Sequence, residues 1–278
     1  MTLKTSLIAA LTIVFSGCLS GTIFIESPHK GQRINVSQPC IGLIELNDTI
    51  TGNKQFVASL YQLINNPLVH GILLTIDSAG GGVTDGFKIY EMVKLANKRK
   101  PIVVYVTDTC ASGAYMIACG AATIVASPMA EIGSIGVALN MMKKEYKTFK
   151  VDGMSGDLKN ITITRGKFKR VGQFPFEALN AEDEAHLNVS MDQIYDAFCK
   201  LVAEQRNLTI EQVKATEAAV YGAPTALEKG LIDQVGTIFD AMQALKIQMQ
   251  KKGCILNGSV DLFESIIVPT PSLTPFVQ

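Results

Sequence analysis

Apolar positions along this chain follow two periods that take turns. Short, largely apolar runs fill residues 41–46, 71–76, 101–106 and 123–126, with Glu45 the one charge among them. Runs of that length with no polar alternation are expected of strands covered on both faces. Between them apolar residues recur at helical spacing: Phe56, Leu60, Leu63 and Ile64, then Phe87, Tyr90 and Val93 in a helix ending near Lys98. A further helix is expected over about 112–119. Leu187, Met191, Ile194, Tyr195, Phe198, Leu201 and Val202 mark a long amphipathic helix. Thr209 with Gln212 reads as a capping box, and Ile238, Met242, Leu245 and Met249 as a last helix. The alternation predicts an α/β layered domain of repeated strand–helix units over 40–250. Residues 251–278 hold three prolines and little period, and read as a tail.

The first 25 residues break this pattern. Lys4 is the only charge before Glu26, and residues 7–25 form a stretch of 19 without one. That is long enough to span a membrane. The alternative is a signal or lipoprotein-type segment: Phe15-Ser16-Gly17-Cys18 puts small residues before a cysteine, which makes Cys18 a lipid-anchor candidate. Either reading, single N-terminal helix or lipid anchor, tethers the chain to the cell membrane with the larger domain outside the cytoplasm. Residues 26–39 read as a linker.

Composition narrows the function. Lys plus Arg and Asp plus Glu balance at 25 each, so no electrostatic footprint for nucleic acid exists. The six cysteines form no C-x-x-C pair, which disfavours a metal site; the expectation is no metal and no cofactor. Only three histidines are present, His29, His70 and His186, although histidine is the usual base of hydrolases.

Two glycine-rich turns follow two of the buried runs. One is Asp77-Ser78-Ala79-Gly80-Gly81-Gly82; the other is Cys110-Ala111-Ser112-Gly113-Ala114-Tyr115. Loops at the carboxyl ends of such strands are where α/β proteins build sites. Consecutive glycines let backbone N–H groups approach a ligand. Ser112 at a helix start has the Gly113 N–H beside it, as a nucleophile needs for its developing oxyanion. It can equally be a plain N-cap, and the triple glycine a plain turn.

The order S-x-G-G-G-V, A-S-G-x-Y-x-I-A, G-S-I-G-V at 133–137 and G-x-aromatic-K at 166–169 resembles the SppA-type signal peptide peptidases in their short, single-domain form. These are membrane-bound serine proteases with a ClpP/crotonase-like fold. The stretch 222–233 also resembles the family's closing segment. The resemblance implies a Ser/Lys dyad, with Ser112 as nucleophile and Lys169 as general base. Residue chemistry alone does not separate Lys169 from Lys167, because both point the same way in an extended strand. The resemblance further implies an oxyanion hole made by the Gly81 and Gly113 N–H groups. Ser134 matches a turn near the site and is expected to orient the Lys169 amine. A lysine base fits the shortage of histidine, but a free lysine amine titrates at about 10.4 and must be desolvated to accept a proton at neutral pH. Ala79 stands where the family usually carries proline, which leaves the glycine turn more freedom.

Expected substrates are short apolar peptides such as signal peptide remnants. The partners that the resemblance implies are the membrane and further copies of the chain in a homo-oligomeric ring, with Lys169 acting either in its own protomer or in a neighbour's site. Three other readings stand beside this one: a catalytically silent membrane-tethered scaffold, a crotonase-type acyl-CoA enzyme, and a cysteine hydrolase using Cys110 with His70.

Overall fold

The computed structural model of the chain describes residues 23–26, 33–36, 40–139, 150–151, 154–155, 181–253 and 266–267. It divides into two compact units, Met1–Ile135 with Lys200–Gln278, and Gly136–Cys199.

The first unit opens with β1 (Ile23–Glu26) and β2 (Arg33–Val36), an antiparallel pair with Ile23 opposite Val36. Then come β3 (Cys40–Asn47), α1 (Lys54–Asn65), β4 (Val69–Ser78), α2 (Val83–Arg99), β5 (Ile102–Ala111) and α3 (Gly113–Ala118). β6 (Thr123–Ala126) and β7 (Glu131–Gly133) follow. The second unit holds the antiparallel pair β8 (Lys150–Val151) and β9 (Met154–Ser155), and α4 (Ala181–Arg206) begins in it. The first unit then resumes with α5 (Ile210–Lys214), β10 (Val220–Gly222), α6 (Ala223–Glu228), β11 (Gln234–Val235), α7 (Ile238–Lys251) and β12 (Ile266–Ile267).

The fold is α/β, built on a sheet whose central strands run parallel, in the order β10-β7-β5-β4-β3-β12. β5 carries two partners in succession on its outer side: Val103–Val106 pair with β6, and Thr109–Ala111 with β7. Both faces of the sheet are covered. Ile41, Leu43, Leu73, Val103 and Val125 pack against Ala241, Met242, Leu245 and Met249 of α7. Gly42 faces the other way, where a Cβ would lie 2.8 Å from Leu63 of α1. Two-sided cover is why these strands read as largely apolar runs.

The expected elements are present where the runs placed them, and the Thr209–Gln212 capping box forms with both of its reciprocal bonds, at 3.1 and 2.8 Å. Three placements differ. Phe87 is exposed, because the buried stripe of α2 is Gly86, Ile89, Tyr90, Val93 and Ala96. The expected linker over 26–39 carries β2. The expected tail contributes β12, which pairs in parallel with Ile41 and Gly42. Residues 1–22, and Cys18 with them, lie outside the described residues. Residues 23–25, the end of the expected membrane stretch, are in β1. Among the described residues no helix is long and apolar enough to cross a membrane.

Candidate active site

Because β3, β4 and β5 run parallel, their carboxyl ends meet at one edge of the sheet, and the register keeps them level. Asn47 pairs with Asp77, and Ser78 with Cys110. Three loops leave there together: 48–52, 79–82 and the turn at Ser112.

Ser112 joins β5 to α3 with φ 52° and ψ −122°. This left-handed backbone is costly for a residue with a side chain, of order 1–3 kcal/mol, and persists only where surroundings impose it. They do. The Ser112 N–H donates to the Gly133 carbonyl at 2.9 Å, and its carbonyl accepts from Met116 N–H at 3.0 Å. The hydroxyl is half-buried, does not cap α3, and among the described residues has no hydrogen-bond partner. The cap role open to it in the sequence is therefore not the one it plays.

The direction of two N–H groups follows from peptide planarity. In a trans peptide the carbonyl of one residue and the N–H of the next point opposite ways. The Ser112 carbonyl points along α3 to Met116, so the Gly113 N–H points back off the helix start. The Gly80 carbonyl accepts from Ile50 N–H at 2.9 Å, and the Ile50 carbonyl accepts from Gly82 N–H at 2.9 Å. The Gly81 N–H therefore points away from the 48–52 segment. The Gly81 nitrogen lies close to the Ser112 turn, since a Cβ placed on Gly113 would be 3.6 Å from it. Among the described residues neither N–H donates to a protein acceptor. Two free backbone donors beside a serine hydroxyl can stabilise a negative oxygen that develops there.

Glycine is required for this approach. At Gly80, with φ 98°, a Cβ would meet the Ala111 carbonyl at 2.7 Å, the Gly113 nitrogen at 2.8 Å and Ser112 Cβ at 2.8 Å. At Gly81 it would overlap the Ile50 carbonyl oxygen.

Ser134 follows Gly133, the residue whose carbonyl holds the Ser112 N–H. It too has a left-handed φ, 51°, and its N–H donates to the Ala219 carbonyl at 2.9 Å. Ser112, Gly81, Gly113 and Ser134 thus come from one end of the sheet in one unit. Lys169 and Lys167 lie outside the described residues.

Cys110 does not pair with His70. Cys110 sits opposite Ser78 at the end of β4, whereas His70 is near that strand's start. At roughly 3.3 Å per residue that is about 26 Å apart. Cys110 is also fully buried, and burial followed by the neighbouring Cys119 pushes its thiol well above the usual range. Among the described residues no cluster of three His, Cys, Asp or Glu is placed to hold a metal ion.

Two structural arrangements escaped the sequence reading, one beside the glycine loop and one away from the site. Ile50, fully buried, bridges in parallel to Gly81. Arg206 donates to the Asp233 carboxylate through Nη1 and Nη2, at 3.0 and 2.8 Å, and to the Gly230 carbonyl through Nε at 3.0 Å. Nothing local in the sequence links these partners, because each is far from the other along the chain.

The model of peptidase family S49 matches residues 94–252, and that of Clp protease matches residues 41–141. A protein of Methanocaldococcus jannaschii that bears the name of a protease is 36% identical over 194 residues, 69% of this chain and 60% of its own length. One of Synechocystis, similarly named, is 33% identical over 205 residues, 73% of this chain and 72% of its own. A protein of Enterococcus faecium named as a signal peptide peptidase SppA is 29% identical over 200 residues, 70% of this chain and 55% of its own. The chain therefore spans less than two thirds of the archaeal and enterococcal relatives.

Proposed function

This chain belongs to peptidase family S49, and we propose that it is a membrane-associated serine endopeptidase that degrades apolar peptides such as cleaved signal peptides. Family membership supports peptide-bond chemistry and disfavours the acyl-CoA reading. The observation that carries the reading further is Ser112, held in a left-handed turn beside two backbone N–H groups with no other acceptor.

In this proposal Ser112 Oγ attacks the carbonyl carbon of the scissile peptide while its proton passes to the neutral Lys169 Nζ. The oxygen of the tetrahedral intermediate takes hydrogen bonds from Gly81 and Gly113. As the C–N bond breaks, Lys169 gives the proton to the leaving amine, and an ester on Ser112 remains. Water attacks that ester and loses a proton to Lys169; the bond from the acyl carbon to Ser112 Oγ then breaks, Lys169 returns the proton to Oγ, and the new carboxylic acid leaves. The Ser134 hydroxyl orients the Lys169 amine. The apolar stretch 7–25 is the ground for the membrane tether, by one helix or a lipid on Cys18, with the peptidase domain outside the cytoplasm. The match to the Clp protease model supports a homo-oligomeric ring, with Lys169 serving either its own protomer or a neighbour's.

The test is hydrolysis of a fluorogenic peptide with a small apolar residue before the cut, by wild type, Ser112→Ala, Lys169→Ala, Lys167→Ala and Ser134→Ala. Ser112→Ala and Lys169→Ala are expected to lose about 10³-fold or more in kcat. Lys167→Ala is expected to stay active, and Ser134→Ala to be slowed. A folded Ser112→Ala with undiminished activity refutes the nucleophile. If Lys169→Ala stays active and Lys167→Ala is dead, the base is reassigned. A folded wild type that cleaves nothing across a varied peptide set supports the scaffold reading.

A further inference from the structure

Ser78 ends β4 and is 2% exposed. Its hydroxyl donates to the Asp48 carbonyl and accepts the buried Gly80 N–H at 3.2 Å. Asp48 is itself in a left-handed turn, φ 64°, and its N–H donates to the Asp77 carbonyl at 3.2 Å. At the far end of the same segment the Gly52 N–H donates to the Asp85 carboxylate at 2.7 Å. Segment 48–52 is therefore fixed at both ends, and between them Ile50 holds Gly80 and Gly82. Among the described residues, Ser78 is the one side chain that bonds both partners of this arrangement, the 48–52 segment and the glycine loop.

We propose that Ser78 is a positioning residue for peptide hydrolysis, whose hydroxyl locks the glycine loop so that the Gly81 N–H stays aimed at the site beside Ser112. The proposal rests on the reading of Gly81 as an oxyanion donor. Its physical ground is the backbone freedom of the loop. Ala79, Gly80 and Gly81 carry no ring to fix φ, and glycine populates both signs of φ with little preference. Nothing intrinsic to these residues selects the orientation seen, so the hydrogen bonds on either side of Gly80 must. Ile50 supplies the bond at the Gly80 carbonyl and Ser78 the bond at its N–H. Without the hydroxyl, a buried Gly80 N–H has no acceptor, and rotation of the loop toward one moves Gly81 with it. Substrate binding does not depend on that aim as strongly as the charged intermediate does, so the effect belongs in kcat.

The experiment compares wild type with Ser78→Ala and Ser78→Cys in the full-length chain. Cysteine keeps the volume and weakens both hydrogen bonds. Both variants are expected to lose about 10- to 100-fold in kcat with KM within about twofold. Amide hydrogen exchange over residues 79–82 is expected to quicken in both, with protection of β4 and β5 unchanged. Unchanged exchange over 79–82 in Ser78→Ala overturns the proposal, whether or not wild type cleaves the peptide. So does full activity in Ser78→Ala, or restoration to wild-type activity by cysteine, which would make volume the cause. If wild type is inactive but exchange quickens as expected, the lock stands and the catalytic reading of the site fails instead.

Discussion

A hydrogen atom in place of a methyl group at Gly80 lets the two glycine-rich turns touch. The substitution Gly80→Ala would force a Cβ to within 2.8 Å of backbone atoms in the Ser112 turn, at φ 98°. Backbone cannot move aside as a flexible side chain can. We expect a loss of about 3 kcal/mol, a fall of roughly 10 °C in Tm, and activity near background. Gly222→Ala is the control, since a Cβ there meets nothing within 4 Å and its φ is −61°. It should stay within about 1 kcal/mol of wild type. Differential scanning fluorimetry and the peptide assay on both variants check this pair of expectations. At this scale the sequence is only partly legible. The glycines announce a close approach, but not which turn they approach. Ser78 looks like any strand-end serine, because its partners, the Asp48 carbonyl and Gly80 N–H, are backbone groups with no signature of their own.

Element boundaries show what periodicity can and cannot carry. The apolar runs located β3 to β6, because a strand covered on both faces must be apolar throughout. The second half of β5 was invisible, since Thr107, Asp108 and Thr109 interrupt the run. It is kept extended by polar bonds: Thr107 Oγ1 donates to the Ile76 carbonyl at 3.2 Å, and the Asp77 carboxylate accepts from Thr109 N–H at 3.3 Å. Those residues carry the strand past β6 to pair with β7, and so set where Ser112 emerges. The turn at 230–233 does similar work elsewhere. The Leu231 carbonyl accepts from the buried Tyr115 hydroxyl of α3 at 2.7 Å, and Asp233 accepts from Ile124 N–H of β6 at 2.7 Å. Burial opposes the charge on Arg206, and the hydrogen bonds and charge of Asp233 outweigh it, holding the guanidinium ionised. Asp233 is 39% exposed, so solvent screens part of the pair. Arg206→Ala should therefore cost about 2 kcal/mol, or roughly 4–8 °C in Tm, with kcat of the folded fraction unchanged. A thermal scan beside a kcat measurement checks it; a loss of kcat at full stability would tie that turn to the chemistry.

For the whole molecule, the sequence predicted an α/β layered fold, and the parallel sheet with helices over both faces bears this out. The family likewise stands on motifs in order, each weak alone. What stays outside both is the geometry of the base. Sequence resemblance assigns Lys169, far from Ser112 along the chain and outside the described residues, and two residues so distant in sequence share no local pattern. The central claim is that Ser112 carries the acyl group. It is tested most directly by quenching the full-length protein during turnover of an activated peptide ester and mapping the adduct by mass spectrometry. The account predicts the acyl mass on the peptide containing Ser112, formed faster than steady-state release, and absent from Ser112→Ala. An adduct on any other residue, or ester hydrolysis undiminished in Ser112→Ala, contradicts it.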